Sequence, residues 1–448
     1  MYACQPVRDD QSGVVFLDGE PMVFHCNHYN RFLQLVVEDC HYIAHEPILQ
    51  DSATEVIFRQ LRGIFARHPE WGRKERTACA ETLYRYCGFG DLALTHADQS
   101  KEEWVDVREA HSHYGSALRL NYGVRRSPGE YFDLGFAIGS LSAIQERPLQ
   151  GAMQLSPEPI SKGGDATVFR IIPRLDRDYP LQTPAITQPV LPEGAEQIPP
   201  RTQSLHVDED AIIAAVGTLP LTGDENGLIP AFGVYLTRHY ADYYNLVSFR
   251  FEEALAHALS THKYLGEMLW YEYPSLFYYK DKFGHLQGKA LAQTLLIEAG
   301  HICGFNTMGG IMRSDPWYQL IVPQLRCKED WLAGIIACIN ALGWGVWRIT
   351  EIIPNERLVL RAWYPYESLG YLRIYGSYAD HPIDYLMTGI GASLMNLLYT
   401  ADITTKPDLT LDFYHRVNRS KDGFWGRQTH CVAQGDAYSE VVVERNCL

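Results

Sequence analysis

Five short patterns recur in the same order in the two halves of this 448-residue chain, and a chain that repeats itself in this way is expected to build one folding unit twice. Val23-Phe24 and His28-Tyr29-x-x-Phe32-x-x-Leu35 align with Val234-Tyr235 and His239-Tyr240-x-x-Tyr243-x-x-Leu246, 211 residues later. Phe58-x-x-Leu61-x-Gly63-Ile64 and His68-Pro69 align with Phe305-x-x-Met308-x-Gly310-Ile311 and Asp315-Pro316, now 247 residues apart. Gly88-Phe89-Gly90 then matches Gly343-Trp344-Gly345, Tyr122-Gly123 matches Tyr375-Gly376, and Gly164-Asp165-Ala166 matches Gly435-Asp436-Ala437. Each match alone is commonplace. Their shared order and slowly drifting separation carry the inference.

Between the halves, nine of the 24 prolines fall from Pro173 to Pro230, a stretch with little helical or strand periodicity that reads as an extended connection. The expected organisation is a first unit over 1–172, a linker over 173–230, and a second unit over 231–448 with a helical, aromatic-rich insertion near 250–285. Alternation and β-branched content predict strands at Trp104–Arg108, Val346–Thr350, Arg357–Arg361 and Ser439–Val443. His28 and His239 fall in what reads as the opening helix of each unit, and a late helix is expected over Ile383–Tyr399, with Leu386, Ile390, Leu394 and Leu397 on one face. The fold class is therefore α+β: two related domains, each a short antiparallel sheet flanked by helices.

The closing stretch Gly426-Arg-Gln428-Thr-His-Cys431-Val-Ala-Gln-Gly435-Asp436-Ala-Tyr-Ser439 resembles the last strand of vinyl-4-reductase-like domains, and Gly343-Trp-Gly345 and Gly389-Ile-Gly391 fall in that family's order. The resemblance covers about 285–445 and, more degenerately through the repeat, 22–172. It implies a fold shared with transport-particle subunits; such domains also sense effectors in aromatic-responsive activators, a role that does not transfer directly because no ATPase or helix-turn-helix pattern accompanies the domain here. Sensor members of that family hold a structural zinc with an acid three residues before a first cysteine and a second cysteine eight after it. Cys431 matches the first cysteine, but Gln428 and Ser439 stand at the other two positions, so the resemblance implies that this zinc site is lost.

Three groups could carry chemistry. His25, Cys26 and His28, with Cys40, His41 and His45, form the densest polar cluster; on a helix, His25/His28 and His41/His45 would each present two imidazoles to one ion. His239-Tyr240, at the place of His28-Tyr29, could face a shared cavity if the halves meet about a twofold axis, or could simply pack the same helix into the same core. Glu253-x-x-x-His257 and Glu298-x-x-His301 have metal-ligand spacing, while the default reading of Glu252 and Glu253 is a solvated face. The expected catalytic set is His239 and His301 as ligand or general acid–base, Glu298 as ligand or base and Tyr240 as proton donor; the expected metal set is His25, His28, Glu253, His257 and His301, holding iron or zinc, with haem a further option.

Tyrosines and tryptophans crowd the second half from Tyr240 to Tyr279, and they point to an apolar or aromatic small-molecule ligand, or else to a packed core or dimer interface. The expected activity is binding of such a molecule in a Tyr/His-lined pocket, with metal-assisted redox or hydrolytic chemistry on it. The alternative is a non-catalytic sensor, carrier or assembly subunit. Composition narrows the partners. With 54 acidic against 39 basic side chains the chain carries a formal charge of −15, which disfavours nucleic acid. No apolar run is long enough to span a bilayer and the first ten residues lack a signal-peptide pattern, so a cytoplasmic protein is expected, with room for a homodimer. Ten dilute cysteines without a C-x-x-C pair are expected to be mostly buried thiols.

Overall fold

The computed structural model describes residues 2–94, 104–174, 191–199, 206–261, 288–418, 420 and 422–445. Most of the aromatic insertion, including His262, Tyr264 and Trp270, lies outside the described residues, as do 175–190 of the linker and Cys447. The strands in chain order are β1 Val7–Arg8, β2 Val15–Leu17, β3 Glu20–Cys26, β4 Gly90–Ala93, β5 Val105–Ser112, β6 Leu149–Met153, β7 Thr167–Pro173, β8 Ile229–Ala231, β9 Val234–Tyr240, β10 Val346–Ile353, β11 Arg357–Trp363, β12 Phe424–His430 and β13 Ser439–Arg445. They form three antiparallel sheets among helices, an α+β architecture.

Two of the sheets have four strands each, in the orders β4-β5-β7-β6 and β10-β11-β13-β12, so each places its last strand inside its third. The four sequence-predicted strands are β5, β10, β11 and β13; β6 and β12 were not expected. The third sheet, β1-β2-β3-β9-β8, was not foreseen at all. Its central pair joins the two halves of the chain, Val23 opposite His239 and His25 opposite Thr237. All seven residues of β3 are buried, which erases the alternation that marks a half-exposed strand.

In both halves a Gly-aromatic-Gly turn precedes the first strand of the four-stranded sheet. Gly88, Gly90, Gly343 and Gly345 all have positive φ (83°, 137°, 92° and 107°), which a side chain would strain. The turns drive Phe89 and Trp344, both 0% exposed, into the core. Behind each sheet, two helices cross closely at small residues. Helix Tyr131–Gln145 meets helix Ser52–Arg67 where Gly135 lies against Gln50 O and Ala53. Helix Tyr385–Met395 meets helix Gly288–Cys303 where Gly389 lies against Ile297 O and Gly300. The expected late helix is thus Tyr385–Met395, continued by a wider turn over Asn396–Thr400, and Leu386, Ile390, Leu394 and Leu397 are all buried.

Part of the proline-rich connection is ordered as a helix, Glu209–Gly217, which the sequence reading missed because prolines crowd either side of it. Asp208 caps it by accepting from Ala211 N at 3.0 Å, Glu209 and Asp210 favour its positive N-terminal end, and Ile212 is buried. Seven of the nine described cysteines are buried and Cys327 is exposed. No helix among the described residues is long and apolar enough to cross a membrane.

Candidate functional site

The strand–helix junctions of the shared sheet bring the expected histidines to the centre of the molecule, with one change of register. β3 ends at Cys26 before helix Asn27–Glu38, and β9 ends at Tyr240 before helix Ala241–Thr261. Counted from these junctions, the residue in the place of His239 is His25, and not His28. His25 is therefore on a strand and His28 in the first helical turn, so they are not i, i+3 neighbours on a helix. His28 turns instead to the Tyr122 hydroxyl. His41 likewise sits in a turn and His45 bonds Tyr131 at 3.0 Å, so these two do not share a helical face.

His25 and His239 have matching surroundings. His25 stacks on Tyr29, four residues on, with ring centroids 4.2 Å apart, and packs on Trp344 at 5.1 Å. His239 stacks on Tyr243, also four residues on, at 4.6 Å, and meets Phe89 at 4.9 Å. Each histidine therefore rests on the aromatic of a Gly-aromatic-Gly turn, and each crosses to the other half of the chain to do so. Their polar atoms are sparsely served. His25 has Cys303 Sγ 3.7 Å from Nδ1 and Tyr366 Oη 3.4 Å from Nε2; His239 has Tyr114 Oη 3.1 Å from Nε2 and no side-chain partner at Nδ1. Between them Asn30 donates to Thr237 at 3.0 Å and to His113 Nε2 at 2.9 Å, and accepts from Tyr244 at 2.5 Å. Burial holds His25 and His239 well below the usual imidazole range and His113 down to about 3, so all three are neutral. The Tyr240 hydroxyl is buried without a partner and its ring stacks on Phe89.

Tyr366 connects this centre to the surface. It lines a cleft of about 200 Å³ between the first half (Val14, Phe16, Pro21) and the second (Tyr364, Leu369, Arg373), with Leu191 of the connection at its edge. Tyr364 has φ +55°, a left-handed conformation rare for a bulky side chain and a form of strain that clusters at binding sites. The wall's cation, Arg373, already pairs with buried Asp242, so the cleft selects for no anion.

The other expected residues are dispersed. His301 Nδ1 is 3.1 Å from Glu298, whose other oxygen accepts from Tyr414 at 2.6 Å, while His301 Nε2 is buried with no partner. That pair shares no bond with His239 or Tyr240. Glu253 is exposed and accepts from Tyr375 at 2.9 Å; His257 is exposed one turn along the same helix. Glu252 does not lie on a solvated face: it is 4% exposed, accepts from Tyr385 at 2.5 Å and pairs with His381 at 2.7 Å. His381 and Tyr385 escaped the sequence reading because they lie more than 120 residues away. None of the expected metal ligands joins a trio: among the described residues one group of three His, Cys, Asp or Glu converges within 4.8 Å, and it is His206, Cys327 and Asp330.

Gln428, Cys431 and Ser439 do converge, on Asp384. Its Oδ2 accepts from Gln428 at 2.7 Å, Cys431 at 3.5 Å and Ser439 at 2.5 Å, and its Oδ1 from Ser368 at 2.8 Å. A buried carboxylate, raised above its usual pKa by burial, is thus the hub of the hydrogen bonds. Glu130, likewise just before the first turn of its helix, binds Ser161 and Thr167 in the first half.

A second pair of buried carboxylates yields a pH prediction. Glu109 and Asp133 share the Tyr84 hydroxyl, and Ser112 donates to Asp133 at 2.6 Å. Burial, with the neighbouring charge, pushes Glu109 well above the usual range, and burial pushes Asp133 up to about 7. A carboxyl whose folded pKa is raised stabilises most when protonated, so its contribution is lost as pH rises from the unfolded value near 4 through about 7. The thermal midpoint should therefore fall as pH rises from about 5 to about 8, and Asp133→Asn, which mimics the protonated acid, should flatten the fall. Parallel melting curves for the two proteins would refute this. Compared with models of known protein families and with curated proteins, the chain matches none.

Proposed function

We propose that this protein binds a small, neutral, apolar or aromatic molecule in the cleft beside Tyr364 and Tyr366, and acts as a sensor, carrier or assembly subunit. The observation that carries this is the cleft itself: it lies where the two halves meet, its wall is mostly apolar, and Tyr366 links it to His25 at the centre. A cavity of comparable size in a protein core admits a single aromatic ring. Occupancy would press on Tyr366 and so on the seam between β3 and β9, which is the arrangement a sensor needs.

The reading also takes the chain as two copies of one vinyl-4-reductase-like unit. Its supports are the shared strand order of the two four-stranded sheets, the paired glycine crossings, the matched His25 and His239, and the acid hubs Asp384 and Glu130. A metal-dependent enzyme is the second reading, and one observation favours it. His301, oriented by Glu298, keeps a buried, unpartnered Nε2 of the kind a general base presents.

Saturation-transfer NMR with toluene, phenol and benzoate is the direct test. The two neutral probes should bind and benzoate should bind more weakly. Leu369→Trp, which fills the cleft, should weaken toluene binding by about tenfold or more. Equal binding to wild type and Leu369→Trp would overturn the assignment of the cleft.

A further inference from the structure

His206, Cys327 and Asp330 come from segments more than 100 residues apart, yet their donor atoms all lie within 4.8 Å of one another. His206 lies within the proline-rich connection, two residues before the cap of helix Glu209–Gly217. Cys327 lies in the loop before helix Asp330–Ala341. Asp330 is held rigidly: its side chain is 0% exposed and accepts from His206 N at 3.0 Å, Arg326 N at 2.7 Å and Cys327 N at 3.1 Å. His206 Nδ1 is 3.3 and 3.2 Å from its two oxygens. His206 is 40% exposed and Cys327 is exposed, so both can turn toward an ion and a water can complete its shell.

We infer that His206, Cys327 and Asp330 form a site for a borderline divalent cation, zinc above all, which ties the inter-unit connection to the second half of the chain. The donor set is one imidazole nitrogen, one thiolate and one carboxylate oxygen, a combination suited to zinc rather than to calcium or magnesium. Its two negative charges balance the ion. The nearby cation Lys328 is engaged with Asp402 at 3.1 Å and does not neutralise the site. Tetrahedral zinc places its ligands roughly 3.3–3.8 Å apart, a contraction that rotation of the two exposed side chains supplies. Uptake releases the Cys327 thiol proton to solvent, and ligation through His206 Nδ1 moves the imidazole proton to Nε2. No oxidation or reduction is involved.

The site is distinct from the Cys431 segment, where the thiol is buried against Asp384. The test uses the purified full chain, titrated with zinc against a chromogenic chelator and with cobalt by absorbance. One zinc per chain is expected, with a thiolate-to-cobalt charge-transfer band. Cys327→Ser should abolish the band, and Cys327→Ser and His206→Ala should each weaken zinc binding by about tenfold or more. Both substitutions are at exposed positions, and circular dichroism reads their folding independently. Zinc affinity and cobalt spectrum unchanged in Cys327→Ser would overturn the proposal, as would a band that persists in that variant and vanishes in Cys431→Ser.

Discussion

Asp242→Ala is expected to destabilise the protein by about 3–5 kcal/mol, the cost of removing one partner from a buried ion network. Asp242 opens helix Ala241–Thr261 with its side chain 1% exposed, and it accepts from Arg59 at 2.5 Å and from Arg373. Arg59 also grips Glu20 of β3 with two bonds, at 3.0 and 2.6 Å. Two acids and two bases thus join a strand and three helices drawn from both halves of the chain. Without Asp242, Arg59 keeps Glu20 but Arg373, 12% exposed, loses its carboxylate. Asp242→Asn preserves shape but not charge and should be nearly as damaging. Glu253→Ala, on the exposed face of the same helix, should cost about 0.5 kcal/mol or less.

The pH signature separates this network from the Glu109–Asp133 pair. Burial alone would raise Asp242, but Arg373 and Arg59 hold it below the usual carboxylate range. A group with a depressed folded pKa stabilises above its unfolded value, and that contribution is lost as pH falls through the folded value. Asp242 therefore supports the fold at neutral pH and fails in acid, whereas the Glu109–Asp133 pair costs most at neutral pH and above. Denaturant melts of Asp242→Ala and wild type should converge in acid. A difference that stays constant from neutral pH to well below the unfolded carboxylate value of about 4 would remove the ion network as its cause.

What the sequence disclosed followed the physics of each element. Strands β5, β10, β11 and β13 each carry β-branched residues, several in β10 and β13, and pair antiparallel with a register shift between Ile349 and Glu351, so alternation and β-branched content found them. Strand β3 carries Pro21, is buried on both faces and runs straight into a helix, so its sequence reads as part of that helix. This moved the His28–His239 match three residues away from the structural counterpart, His25. Glu252 and Glu253 show the same limit at side-chain scale. Adjacent helical positions point about 100° apart, so one is buried against Tyr385 and the other is exposed. The resemblance alone grouped Gln428, Cys431 and Ser439, and the carboxylate at their centre, Asp384, is more than 40 residues upstream. The cleft beside Tyr366 left no local signal because its walls come from four separate stretches of chain.

The glycine crossings give the second large effect, and here two physical rules predict opposite signs. Glycine inside a helix costs about 1 kcal/mol relative to alanine, so Gly389→Ala should stabilise if propensity were all that mattered. A Cβ at Gly389, however, would sit 2.1 Å from Ile297 O and 2.6 Å from His301 N, and these are backbone atoms that no rotamer change can move aside. The helices must separate, and overpacking of that kind costs about 1–3 kcal/mol or more. Gly389→Ala is therefore expected to be net destabilising by about 2 kcal/mol, with Gly389→Leu failing to fold at all. Gly135→Ala should behave alike in the first half, where the Cβ would meet Gln50 O at 2.5 Å. Gly63 is the control, because a Cβ there meets only the Arg67 side chain, 4.0 Å away, and Gly63→Ala should stabilise by up to about 1 kcal/mol. The sign difference between Gly63 and the crossing glycines is what matters: if all three alanine variants melted higher than wild type, the helices would not be in the contact that sets the position of His301, and the matched crossings would no longer support the reading of the chain as one unit built twice.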